Sequence, residues 1–216
     1  MKIQAFYTAD MMSLISLAIM SAARGRFAHT GLLFTATQDE WEELCKEHSM
    51  LKSSAVRSGS DGHFRFYFES VSKRDKITGK TGARGPYPFS KLADWKGASS
   101  HRRLDIQDIP LCDKGAQRAV KRAIWAVPRI KYAYKQIWRN WLELRWGEGT
   151  PLRKRAEDRW TCVEFNVECI ASASARYAIK QLRLGRLLFV EYAPSSSRGP
   201  GLHELVANKE PKQGDE

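Results

Sequence analysis

The stretch RWTCVEFNVECIAS, residues 159–172, carries a helix start on which several signals agree. With Thr161 as N-cap, Glu164 falls at the third helical position. Its carboxylate then reaches back to the Thr161 N–H while the Thr161 hydroxyl accepts from the Glu164 N–H, which makes a capping box. Trp160 and Phe165 stand where a hydrophobic staple would brace it. The consequence is chemical, because Cys162 lands in the first turn. Unpaired N–H groups and the positive end of the helix dipole favour an anion there. Cysteines in such places become reactive thiolates, and the same N–H groups suit the oxyanion formed when a thiolate attacks a carbonyl. The alternative is a buried structural thiol, which is what Cys169, two turns along the same face, is expected to be.

The other cysteines, Cys45 and Cys112, complete a set with no CxxC or similar metal spacing. In a helix over 161–177, Cys162 and Cys169 would stand about 10 Å apart along the axis, too far for a disulfide. Reduced thiols point to a cytoplasmic setting. No metal or other cofactor is expected.

A nucleophilic thiol needs a base and a group to orient it. Among five histidines, His48 lies on a helix stripe, His63 and His101 border loops, and His203 is near the C-terminal end. His29 differs, since it sits in a strand, RFAHTGLLF, beside the small residues Ala28, Thr30 and Gly31. Small neighbours leave room for another element to approach. Glu69 closes the aromatic strand FRFYFE, on the face of Tyr67 and away from the phenylalanines. It is placed either to hydrogen-bond an imidazole and hold its tautomer or to face solvent from an edge strand.

Working outward, residues 2–8 read as a strand and 11–23 as a mostly buried helix, N-capped by Asp10 and closed by Arg24-Gly25. The apolar run MMSLISLAIMSAA could pass for a signal segment, but Lys2 is the only charge ahead of Asp10, a strand-like stretch precedes the run, and it is too short to span a bilayer. Strand character returns at 27–36. Thr37 and Glu40 then make a second capping box, ahead of a stripe of Trp41, Leu44, Cys45 and His48. Alternation of Phe64, Phe66 and Phe68 with polar neighbours marks a strand over 63–71. Residues 72–112 read as a long loop region with a short strand at 103–106, and its 72–100 part is placed to cover a cleft. Helices are expected at 114–127, broken before Pro128, and at 129–146 with Ile130, Tyr134, Ile137, Trp141 and Leu144 on one stripe. A last strand is expected at 186–193. The order of elements predicts an α+β domain over 1–193, a small antiparallel sheet packed against helices, followed by a Ser/Gly/Pro-rich tail over 194–216.

At 216 residues, 43% hydrophobic and 28% charged, the chain has the composition of a soluble globular protein. A net charge of +12 favours anionic surroundings such as a polymer or a membrane surface, without bearing on fold. The basic residues of 117–145 follow a helical pattern, and no nucleic-acid-binding motif is present.

Taken in order, FAHTGLLF (27–34), FYFES (66–70), a Gly/Pro-rich loop, KYAYKQIW (131–138) and the cysteine that opens a helix form an arrangement. It resembles the circularly permuted NlpC/P60 proteins, the YiiX/YaeF-like papain-fold amidases. The resemblance implies Cys162 as nucleophile, His29 as general base and Glu69 as the residue orienting it. Tyr132 matches the tyrosine of that family's Tyr-Asp segment and would support the site. Ala133 stands where the aspartate is usual, which leaves Tyr134 as the alternative ring, and Val163 replaces a small polar residue after the cysteine. LRAT-type acyltransferases share this architecture, but their Asn-Cys-Glu-His signature is absent here. Hydrolysis of an amide or ester in a cell-wall peptide, an isopeptide or an acyl lipid therefore ranks first. A basic protein that binds nucleic acid or an anionic surface without turnover and a catalytically inactive papain-like interaction module are the rivals.

Overall fold

The computed structural model describes residues 1–74, 79, 81–135 and 158–173. Within them the chain is α+β. Five antiparallel strands, β1 (Lys2–Asp10), β2 (His29–Ala36), β3 (Phe64–Val71), β4 (Gly82–Pro88) and β5 (Arg102–Asp108), form one sheet in the order β4-β3-β2-β1-β5. Between them run α1 (Leu14–Ala23), α2 (Gln38–Glu47), the short α3 (Ser49–Lys52) and α4 (Phe89–Gly97). Then come α5 (Asp113–Ala126), a two-strand parallel pair of β6 (Lys131–Tyr132) and β7 (Arg159–Trp160), and α6 (Cys162–Ala173).

Strand alternation decides which face is which. Ile3, Ala5 and Tyr7 of β1, Leu32 and Phe34 of β2, and Phe64, Phe66 and Phe68 of β3 point to one side. There they join Val120 and Ile124 of α5 and Val163, Phe165 and Ile170 of α6 in the main core. Trp41 of α2 stacks on Phe64 at 4.9 Å and meets Phe66 edge-on. The opposite face carries a smaller cluster, Phe6, Leu33, Tyr67 and Leu92, roofed by α4.

Burial alone would let α6 slide along this core. Asn166 prevents that. It is fully buried, and its amide donates to the Thr30 hydroxyl at 2.8 Å and to the Gly31 carbonyl at 3.2 Å. Thr30 in turn donates to the Phe6 carbonyl at 2.9 Å. A buried amide keeps one position because losing its partners costs the full desolvation of the group. Asn166 lies one turn from Cys162, so this bond also sets the height of Cys162 against the start of β2.

Several expectations need correction. The region 72–112 is no long loop: it holds β4, α4 and β5. Glycines and prolines hid β4, yet they suit it. Gly82 and Gly85 take φ of 118° and 129°, and Pro86 and Pro88 lie on an edge strand, where a ladder N–H can be missing. At Gly82 an added Cβ would stand 2.2 Å from the Ile130 carbonyl oxygen, so only glycine lets β4 touch the segment that becomes β6. Residues 131–132, expected in a helix from 129, form that strand instead, because backbone pairing with Arg159 and Trp160 outweighs the apolar stripe.

Asp10 ends β1 and does not cap α1. Ser13 is the cap, accepting from the Ser16 N–H, while Arg24 closes the helix in the left-handed region as expected. Nor is α1 mostly buried: Met20 is inside, but Leu14 is 83% and Ile15 65% exposed. The extension of the helix from 129 beyond residue 135, the strand at 186–193, the 193/194 boundary and the tail lie outside the described residues. Among the described residues no helix is long and apolar enough to cross a membrane.

The Asn166 bridge yields a prediction. Asn166→Ala removes two buried hydrogen bonds and leaves their acceptors dry, so stability should fall by about 2–4 kcal/mol. The urea midpoint checks it. A loss within experimental scatter of zero would show that packing alone holds α6.

Candidate functional site

Local structure places Cys162 first. The Thr161 N–H donates to the Glu164 carboxylate at 2.6 Å and the Glu164 N–H to the Thr161 hydroxyl at 3.3 Å, so the capping box forms as the spacing predicts. Phe165 N–H bonds the Thr161 carbonyl at 3.0 Å. Those bonds engage the N–H groups of residues 161, 164 and 165, and leave those of Cys162 and Val163 outside the capping network. Trp160 and Phe165 are both buried in the main core. The Trp160 ring lies 6.2 Å from Trp125, with the Arg122 guanidinium 5.1 Å above it and 4.1 Å above Trp125. Arg122 also reaches Glu168 at 3.4 Å, so this part of the basic helical surface is spent on holding α6 against α5. Ser70 of β3 donates to the Trp160 carbonyl at 3.0 Å, fastening the approach to α6 onto the sheet.

His29 opens β2 at the same end of the sheet. Its Nε2–H donates to Glu69 Oε2 at 2.8 Å, and Cys162 is its other polar neighbour. With Nε2 engaged, Nδ1 is the nitrogen left for sulfur. Gly31 makes this compact. A Cβ there would meet the Phe6 ring at 2.3 Å and the Phe68 carbonyl oxygen at 2.7 Å. The Phe6 ring instead fills that space and sits edge-on to the imidazole, with centroids 6.2 Å apart. The room that small residues leave beside His29 therefore admits a ring of β1 as well as the end of α6.

Glu69 shares its face with Tyr67, opposite the phenylalanines, and is buried rather than facing solvent. Its other oxygen, Oε1, accepts from Arg84 Nε at 2.9 Å and Nη2 at 2.7 Å. Arg84 faces Glu69 directly across the β3–β4 ladder. A buried carboxylate is tolerable here because both oxygens are bonded and one partner is a fixed cation.

The charges follow from these contacts. Burial opposes protonation of His29, but hydrogen bonds and charge attraction from Cys162 and Glu69 outweigh it and raise its pKa to about 10. For Glu69, burial raises the pKa, and the bond to His29 with the charges of His29 and Arg84 brings it below its usual value. Burial, then the neighbouring Cys162, pushes Tyr132 well above its ordinary range, so its hydroxyl keeps its proton. Cys169 is also pushed up, by burial.

Of the residues singled out in the sequence, Cys162, His29, Glu69 and Tyr132 come together. Tyr132 is carried there by β6, paired to Trp160 two residues before the cysteine. Tyr134 stacks edge-on against Tyr132 at 5.3 Å, but its hydroxyl donates to the Ser72 carbonyl. Two polar residues were missed. Arg84 was hidden in a stretch read as loop. Asn166 had a signal, a lone amide between Phe165 and Val167 one turn after the cysteine. Among the described residues no cluster of three or more His, Cys, Asp or Glu side chains is arranged to hold a metal.

The paired shifts predict a pH response. His29 holds its proton more tightly in the folded state, so its contribution to stability is complete below its ordinary 6.5 and disappears as pH rises towards about 10. The Glu69 contribution is complete above 4.5 and is lost as pH falls through its lowered value. In urea titrations, the stability deficit of His29→Gln should therefore be largest between pH 4.5 and 6.5 and shrink on the alkaline side. A deficit that stays flat across the alkaline range would contradict the charge assignment.

Compared with known proteins, the chain matches no family model, no curated protein and no solved structure.

Proposed function

We propose that this chain is a papain-like cysteine hydrolase of the permuted NlpC/P60 kind, cleaving an amide or ester through Cys162, His29 and Glu69. One observation carries the proposal: the His29 ring stands between a buried carboxylate and a sulfur in the first turn of a helix. An inert core thiol has no use for a histidine so oriented, with its far nitrogen tied to Glu69 and Glu69 itself tied to Arg84.

In the proposed reaction, the Cys162 thiolate attacks the carbonyl carbon while His29 holds the proton it has taken from sulfur. The carbonyl π electrons move onto oxygen, and the N–H groups of Cys162 and Val163, with the Tyr132 hydroxyl, face that oxyanion. Collapse of the tetrahedral species breaks the bond to the leaving amine or alcohol, which takes its proton from His29. Neutral His29 then deprotonates a water, hydroxide adds to the thioester, and the acid departs as Cys162 regains the charge and His29 the proton. Glu69 keeps Nε2–H in place throughout, so Nδ1 makes both proton transfers. Tyr134 positions Tyr132 rather than the substrate. Peptides, isopeptides and acyl lipids all supply a suitable carbonyl.

Two measurements test this. Iodoacetamide at neutral pH should label Cys162 faster than the exposed Cys112, and His29→Ala should abolish that preference. Labelling that follows exposure alone, unchanged in His29→Ala, would sink the proposal. On an activated ester, Tyr132→Phe should lower kcat by roughly 10²–10³-fold if its hydroxyl faces the oxyanion.

A further inference from the structure

We propose that α1, with the Met11–Met12 turn before it, is a docking element for an anionic lipid bilayer. This inference stands on α1 and its surroundings and does not need the chemistry of Cys162. Residues 11–23 contain no charged side chain. A helix that is apolar all round belongs where both its faces are covered. The protein covers one of them. Met20 enters the main core and Ile19 and Met11 pack partly against it, whereas Met12, Leu14, Ile15 and Leu17 are 74%, 83%, 65% and 37% exposed. These are four of the six large hydrophobic side chains described as exposed, gathered within six consecutive residues. Such clustering marks a surface that something apolar is meant to meet.

Charge selects the occupant. Asp10 is the only acidic residue among residues 1–38, and it is engaged by Arg102 at 3.5 Å and by the Met12 N–H at 3.0 Å. The exposed basic groups near α1 come from its own end and from the neighbouring strand. Arg24 closes the helix. The Met11 N–H bonds the His101 carbonyl at 3.1 Å, which brings the start of β5 alongside, and Arg103 pairs with Ala9 on the sheet face that α1 covers. An apolar ridge bordered by arginines, on a chain of net charge +12, matches a bilayer with anionic headgroups: side chains enter the acyl boundary while guanidinium groups bind phosphates above it. A second copy of the chain would bring the same arginines face to face and is the poorer fit.

Flotation of the full chain with phosphatidylcholine vesicles containing roughly a third phosphatidylserine tests the proposal. Binding is expected to these vesicles and only weakly to phosphatidylcholine alone. The double variant Leu14→Glu, Ile15→Glu should bind at least about tenfold more weakly, with its melting curve unchanged because both side chains are outside the core. Arg24→Glu, or raised salt, should weaken binding several-fold. Absence of flotation with the anionic vesicles would overturn the proposal, as would full binding by the double variant. A dimer in light scattering that the double variant converts to monomer, without vesicle binding by the parent, would show instead that a second copy covers the ridge.

Discussion

The architecture depends on a single buried amide. Asn166 joins α6 to β2 through Thr30 and Gly31, and Thr30 passes the connection to Phe6 of β1. Apolar packing between a helix and a sheet is nearly indifferent to a shift along the helix axis, since one aliphatic contact replaces another. A hydrogen-bonded amide in a dry core is not, because any shift leaves its donor unpaired at the cost of a whole desolvated group. That difference turns a generic helix-on-sheet contact into one register, and the register brings the first turn of α6 to the first residue of β2.

Around that register the electrostatics are arranged as a chain of alternating sign. Arg84 is bound to Glu69, Glu69 to His29, and His29 lies against Cys162. Each member offsets the burial of the next. A carboxylate 7% exposed would be costly alone; between a guanidinium and an imidazole it becomes a fixed acceptor that determines which ring nitrogen faces the sulfur. Arg84 thus belongs to the site without touching the sulfur, and its position opposite Glu69 follows from the β3–β4 ladder.

Glycine supplies the remaining precision. Gly31 permits the Phe6 ring to lie beside the imidazole, and Gly82 permits β4 to press on the Ile130–Lys131 backbone that delivers Tyr132. In both places a methyl group would collide with backbone oxygen as well as with side chain or Cα, and backbone is what cannot move aside. The same economy of space is absent at α1, where large apolar side chains face outward.

Local chemistry was legible in the chain by itself. The Thr161–Glu164 capping box, the alternation that puts Glu69 opposite the phenylalanines, the helix over 114–127 and the left-handed close of α1 at Arg24 all depend on residues within a few positions of one another, and all appear as read. Pairing between distant segments was not legible. β4 looks like a loop because its glycines and prolines are poor strand formers, and only the partner strand and edge position make them suitable. The parallel pairing of Lys131–Tyr132 with Arg159–Trp160 overrides a helical stripe for the same reason. Sequence therefore determined where a cysteine begins a helix and which histidine and carboxylate were placed on strands of the sheet beside it. The meeting of residues 29, 69, 84, 132 and 162 was decided by tertiary structure, because long-range register is set by buried partners that no local pattern contains.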